Sequence, residues 1–308
     1  MSAKEGAAVE SSSRAVPQGP SIRVRAARAS IARILLVVLI SVLSLVPFAA
    51  LVGLALGGPA AMAGAASGQA AAGAVGALRG LLANLVTNVS QAWTHSHLGR
   101  SILNSAIIST GAVAVVVALA GAAGYSLCRF PHRLNRMILA ILLASMMVPG
   151  IINTVALYTL MIGIHGISTY WAMILVLSCN ALPFSVFLYT GFIRTIPRDI
   201  EDAAVIDGCS RASLFWRVTF RLVQPVTGAV IILQGLGFWN NYGQAVFFLQ
   251  RQEMRTIPLA ISLFFQQYGA NWNLMAAAAC IGMAPAVLAF LLFHRSFVSG
   301  ITTGAVKG

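Results

Sequence analysis

Residues 197–225 read P-R-D-I-E-D-A-A-V-I-D-G-C-S-R-A-S-L-F-W-R-V-T-F-R-L-V-Q-P, the longest polar interruption between apolar runs in the C-terminal two-thirds of the chain. Four of the seven acidic side chains, Asp199, Glu201, Asp202 and Asp207, fall within it; the others are Glu5, Glu10 and Glu253. Local chemistry predicts two short helices. Pro197 suits a first helical turn, and three acids follow where the positive end of the helix dipole favours anions. Gly208 suits the position just past a helix end, and Ser210 can cap the next helix. That second helix would carry Leu214, Phe215, Val218 and Leu222 on one face, with Trp216 and Arg217 off it.

The chain around this stretch is apolar. Hydrophobic residues make up 58% of the 308, charged residues only 9%, and mean hydropathy is +0.85. Such a composition describes a polytopic all-α membrane protein rather than a large soluble core. Residues 1–30 are rich in Ser, Ala and Arg and read as a disordered tail. The apolar run at 31–56 is too long for a signal-peptide core and reads as a first membrane span, with Pro47 inside it. Residues 57–101 read as an extracytoplasmic loop with some helix near Leu78–Leu85. Five further spans are expected within 102–297, at about 102–126, 137–162, 170–193, 226–249 and 275–297. The polar stretch 197–225 is then a cytoplasmic loop, and 298–308 a cytoplasmic tail. The fifth of the six spans is the least regular, because Gln234, Asn240, Asn241, Tyr242 and Gln244 interrupt it.

Charge sets the orientation. With both termini in the cytoplasm, every Lys and Arg except Arg79, Arg100, Arg251 and Arg255 lies on the inner side. The net charge of +13 is therefore an orientation signal and does not mark a nucleic-acid binder. The localisation expected is a cytoplasmic (inner) membrane of a bacterium, crossed several times.

The loop also resembles a known motif. Asp202-Ala203-Ala204, followed by Gly208 and, ten residues on, by Val218, is similar to the "EAA" loop of binding-protein-dependent ABC importer permeases. The likeness has Asp202 for Glu, Val218 for Ile, and Arg221 where the family has proline. It extends to Asn104-Ser105, to A-G-Y-S-L-C-R-F at 123–130, to M-V-P-G at 147–150, to G-F-I-R-T-I-P-R at 191–198 and to F-W-N-N-Y at 238–242. The ending F-V-S-G-I-T-T-G-A-V-K-G at 297–308 resembles carbohydrate-uptake permeases, in particular the second, smaller subunit of maltose-type transporters. The match covers about residues 100–308. It implies a type I ABC importer permease fold and a coupling helix that docks on an ATPase, with Glu201, Asp202, Ala203, Ala204, Asp207 and Gly208 as its residues. The implied partners are a second homologous permease, an ATPase dimer and an extracytoplasmic solute-binding protein. The implied mechanism is alternating access.

Residue chemistry narrows the function in the same direction. The only lysines are Lys4 and Lys307, and neither follows a G-x-x-x-x-G, so no phosphate-binding loop can be built. No cofactor is expected in this chain; ATP and Mg²⁺ would sit on the partner ATPase. The expected spans contain no acidic residue, which leaves no carboxylate pair or proton relay. The chain is therefore not read as an enzyme. His95 and His97 form an H-x-H pair without a third ligand, more in keeping with surface histidines than with a metal site. The four cysteines form no CxxC. What remains for a sugar or polyol substrate is neutral and polar: Asn180, Trp239, Asn240, Asn241, Tyr242 and Gln244 form a candidate pathway, with interhelical hydrogen bonding as the alternative role. A self-contained secondary transporter or channel for a small polar solute is the alternative function.

Overall fold

The computed structural model describes residues 22–57, 74–130, 132–150, 152–266 and 271–305. Among them there is no strand. The helices are α1 Ile22–Leu56, α2 Ala74–His95, α3 Leu98–Arg129, α4 Arg133–Ser145, α5 Ile152–Gly163 and α6 Tyr170–Ile193. They continue with α7 Asp199–Ile206, α8 Arg211–Leu222, α9 Gln224–Trp239, α10 Ala245–Phe248, α11 Ile257–Gln266 and α12 Trp272–Ala305. The middle of α8, Leu214–Thr219, is a π-helix, a rare widening of the helical turn.

The chain divides into two units, Met1–Ala50 and Leu51–Gly308. In the first, every described apolar side chain from Ile34 to Phe48 is exposed. The stretch Arg33–Leu56 has a mean hydropathy of 2.9, so its solvent is lipid. The helix begins at Ile22, inside the segment expected to be a tail. Its first residues, I-R-V-R-A-A-R-A-S, are rich in the strong helix formers Ala and Arg, and Pro20 stands just before them. The rest of that expected tail lies outside the described residues.

The second unit is built on α3 and α6, which pack along their lengths around Ile108, Val116, Met173, Val176 and Tyr189. Two glycines set how closely they approach. A Cβ on Gly111 would lie 2.7 Å from Ile174 Cδ1, and one on Gly124 would lie 2.7 Å from Tyr189 Cβ. The Tyr189 hydroxyl donates to Thr227 Oγ1 at 2.9 Å, which fastens α6 to α9. A second core gathers Ala55, Ala92, Leu98, Phe264 and Leu274 from the end of α1 and from α2, α3, α11 and α12. There Asn88 on α2 donates to the carbonyls of Ala55 and Gly57, both at 2.9 Å. Helix α2 is thus much longer than the helix expected near Leu78–Leu85, and it packs through this buried polar contact.

Among the described residues, four helices are long and apolar enough to cross a membrane: Arg33–Leu56, Leu98–Arg129, Tyr170–Ile193 and Trp272–Leu292. They become five if α8 and α9, bent by 73° at Val223, form one broken span. The span expected at 137–162 is divided into α4 and α5 around Pro149-Gly150, because proline removes a backbone donor and clashes with the preceding turn. The span expected at 226–249 stops at Trp239. Pro183 and Pro285, by contrast, lie inside continuous helices. The last helix runs on to Ala305, through most of the segment expected to be a tail.

Candidate functional site: the loop helix and the polar break after Trp239

The stretch 197–225 forms the two expected helices, but Pro197 precedes α7 instead of entering its first turn. Leu222, expected on the apolar face of α8, is exposed because the π-turn shifts the faces. Asp199, Glu201 and Asp202 occupy the first turn of α7. At its far end Gly208 has φ +84°, a left-handed conformation that costs a side-chain-bearing residue about 1–2 kcal/mol. Gly208 N donates to Val205 O and Cys209 N to Ala204 O, both at 3.0 Å, the paired bonds of a Schellman closure. Ser210 Oγ then accepts from Ser213 N at 3.3 Å and caps α8. On α8, Leu214 and Phe215 are buried and Trp216 is exposed. The return toward the membrane is made at Val223, with Pro225 in the first turn of α9. Arg221, where the likeness would place proline, is exposed, and its carbonyl accepts from Val223 N at that turn.

The six loop residues named from the sequence do not behave alike. Asp202, Ala203, Asp207 and Gly208 are exposed, and Ala204 is half-buried. Ile206, at 85% exposed, stands beside them, and Val205 and Ile200 are exposed as well, spread around α7 between the acids. Glu201 is different: it is buried and turned inward. Its Oε1 accepts from Arg129 Nε at 2.8 Å, with Arg129 Nη2 also 2.8 Å away, and the Tyr125 hydroxyl approaches Oε2 at 3.4 Å. Arg129 Nη2 also donates to Ile196 O at 3.0 Å. Both charged side chains are less than a tenth exposed. The sequence reading counted Arg129 only as an inner-side charge; its place in A-G-Y-S-L-C-R-F was the one available hint.

Of the polar residues named for a pathway, Asn180, Trp239, Asn240 and Asn241 each make a hydrogen bond with part of their side chain. The Gln244 side chain and the Tyr242 hydroxyl make none among the described residues. Asn180, exposed on α6, donates to Val176 O of its own helix. Trp239 Nε1 donates to Gly282 O on α12 at 3.2 Å. Asn240 Nδ2 returns to Leu236 O, while Asn241 Oδ1 accepts from the backbone N–H of Gln244 and of Ala245, which starts α10. Tyr242 lines a cavity of about 270 Å³ with Gln250, Arg255 and Ser262. Gln250 Nε2 is spent on Tyr158 Oη at 2.7 Å, and Ser262 Oγ on Leu259 O. The Tyr242 hydroxyl and the Arg255 guanidinium have no hydrogen-bond partner among the described residues. Arg255 was missed from sequence because it read as one of the few outer-side charges. A larger groove of about 400 Å³ between α3, α9 and α12 is lined mainly by apolar groups such as Val113, Val117, Ile232 and Leu236. Of its polar side chains, Thr110 and Trp239 have donated their protons, while Ser109 Oγ has no hydrogen-bond partner among the described residues.

The turn between α10 and α11, which carries Arg255, is held by the start of α3. Asn104, fully buried, donates from Nδ2 to the carbonyls of Glu253 and Arg255, both at 2.8 Å, and its Oδ1 accepts from Tyr170 Oη at 2.7 Å. Ser105 Oγ accepts from Ile257 N at 3.0 Å. These two residues, quoted above only for a resemblance, therefore have a structural task. His97 precedes them in a left-handed conformation at the junction of α2 and α3.

Comparison with known proteins agrees with this arrangement. A crystal structure of a bacterial ABC transporter involved in the import of the acidic polysaccharide alginate contains a chain of the same fold. Its TM-score is 0.71 at 16% identity, over 91% of this chain and 99% of that one. The melibiose/raffinose/stachyose import permease protein of Bacillus subtilis (strain 168) is 36% identical over 72% of this chain and 80% of its own length. The arabinooligosaccharides transport system permease protein of the same organism is 32% identical over 67% and 72%. Residues 114–302 match the model of the binding-protein-dependent transport system inner membrane component. This chain belongs to that family of inner-membrane transport components.

Proposed function

We propose that this chain is one of two homologous permease subunits of an ATP-driven importer that takes up an oligosaccharide delivered by an extracytoplasmic solute-binding protein. The family makes it a non-enzymatic membrane subunit of a sugar importer, and a self-contained transporter is not favoured. An ATPase dimer on the cytoplasmic side would bind ATP and Mg²⁺ and supply the energy. The observation that carries the reading is α7: a short helix closed at Gly208, presenting Ile200, Val205 and Ile206 with Asp199, Asp202 and Asp207. A short surface helix with exposed apolar side chains set among acids is what a groove on a partner would cover. Its motion would rock the spans between inward- and outward-open arrangements.

The topology we propose has six spans with both ends in the cytoplasm. α4 and α5 together would form the third crossing and α8 with α9 the fifth, each broken. On the outer side, Tyr242 and Arg255 would face the sugar in the 270 Å³ cavity. Arginine and tyrosine suit sugar hydroxyls because each combines a directional donor with a flat face.

The test is co-purification of the ATPase together with uptake of radiolabelled raffinose, chosen because a raffinose-importing relative is 36% identical. Ile206→Asp should release the ATPase and abolish uptake, while the chain still inserts. An unchanged pull-down and wild-type uptake for Ile206→Asp would remove α7 as the docking element.

A further inference from the structure

The loop helix α7 is joined covalently to the membrane on both sides, through α6 before it and through α8 and α9 after it. Neither joint is a continuous helix. Between α6 and α7 lies the turn Arg194–Arg198, and between α8 and α9 lies the 73° bend at Val223. A displacement of α7 could be absorbed at either place. The side chains provide a third route. Glu201, on the inner face of α7, grips Arg129, the last residue of α3, through Nε and Nη2 at 2.8 Å. α3 is one uninterrupted helix of 32 residues, about 48 Å long at 1.5 Å per residue. A second contact lies beside the first: the ring of Tyr125, one turn back on α3, packs on Phe215 of α8 at 5.3 Å. Arg211 of α8 stands over the Phe130 ring at 5.7 Å. The end of α3 is thus clamped to the loop on both sides of Gly208.

The ion pair is costly to keep. Burying two charges costs as much as their attraction returns, so such a pair adds little to stability, whereas losing one partner strands the other. What the pair does supply is a short, directional, inextensible link between two helices. Among the described residues it is the one salt bridge. The far end of α3 holds the turn that carries Arg255, through Asn104.

We propose that Arg129 and Glu201 are positioning residues for transport: their ion pair is a strut that passes movement of α7 directly into α3, which carries it as a rigid rod to the sugar-facing turn at 252–257. This rests on the importer reading above. Tyr125 steadies the carboxylate from the side, and the Arg129–Ile196 bond fixes the guanidinium against the end of α6. A helix moved through its own end bond has two positions rather than a continuum, because the packed α3–α6 contact at Gly124 does not deform gradually.

The experiment uses the whole importer, with its ATPase and binding protein, in proteoliposomes, and reads raffinose uptake and ATP hydrolysis in the same sample. The wild-type complex is scored first: a complex that recruits no ATPase or moves no raffinose counts against the proposed function and leaves the strut to be judged with another sugar. In an active complex, Arg129→Glu and Glu201→Arg should each lower raffinose moved per ATP at least tenfold while the ATPase still co-purifies. The double variant with the charges exchanged should regain at least a third of the wild-type ratio. Glu201→Gln, which keeps the shape and one acceptor, should lower the ratio about threefold. Should the charge reversals fail to insert, Glu201→Gln alone decides. A wild-type ratio for Glu201→Gln overturns the proposal. So does loss of the ATPase from that variant, since the pair would then serve docking, and so does an exchanged pair no better than either single reversal.

Discussion

Asn104 offers the sharpest test of how the membrane core is held. It is 1% exposed and uses its whole amide: Nδ2 donates twice, to Glu253 O and Arg255 O, and Oδ1 accepts from Tyr170. Asn104→Ala removes three hydrogen bonds at once. Each is worth about 0.5–1.5 kcal/mol net, so the bonds alone come to about 3 kcal/mol. The stranded groups adjust that figure in opposite directions. The Glu253 carbonyl keeps its bond from Arg100 Nε at 3.0 Å, whereas the half-buried Arg255 carbonyl and the Tyr170 hydroxyl lose theirs. A loss of about 3 kcal/mol should lower Tm by roughly 6–12 °C in a chain of this size. Tyr170→Phe removes only one of the three bonds and should cost about a third as much. The two changes share a partner, so the double variant should be less destabilised than the sum by about 1 kcal/mol. The assay is tryptophan fluorescence of the detergent-purified chain on heating. A Tm for Asn104→Ala within 1 °C of wild type, or strict additivity with Tyr170→Phe, would refute this account of the turn.

Three further outcomes follow from geometry already described. Gly208→Ala should weaken ATPase recruitment about five- to thirtyfold through about 1–2 kcal/mol of backbone strain, as open space surrounds the site and no clash adds to it; Gly208→Asn should weaken it less, because Asn tolerates the left-handed region. Gly124→Val should cost about 1–3 kcal/mol by overpacking against Tyr189, visible as a lowered Tm or a broadened size-exclusion peak. A topology reporter fused at Gly166 or Gln252 should report outside and one at Arg211 inside; an inside report at Gln252 would show that α9 re-enters instead of crossing.

What could be foreseen from sequence was mostly local. Gly208 and Ser210 mark their own conformations, so the two loop helices followed from residues five apart or closer. The pairing of Arg129 with Glu201 joins positions 72 apart, and nothing in either neighbourhood marks the partner. Asn104 and Ser105 were harder still, because what they bind is largely backbone, which leaves no trace in residue type. The expected span over 226–249 failed at Trp239 for a readable reason. Asn240 and Asn241 satisfy their own backbone, an alternative to helix that amide side chains offer routinely. That local bonding occupies Asn240 Nδ2 and Asn241 Oδ1. Tyr242 kept a cavity position because its hydroxyl cannot reach back to its own main chain. The break in the expected third span lay where Pro149 and Gly150 stood, but composition could not tell a kink from two separate helices.

The π-turn at Leu214–Thr219 has a consequence for how this loop can vary in length. Such a turn holds one residue more than an α-helix would over the same rise, and the helix accommodates it without breaking. Residues on either side are rotated against each other by about 100° compared with an α-helical path. Phe215 faces Tyr125 and Arg211 reaches Phe130 in that rotated setting. Removing Val218 would let the helix relax to ordinary pitch and swing the earlier half of α8 around its axis, taking both contacts away from the end of α3. The loop therefore tolerates substitution along α8 more readily than any change in its number of residues.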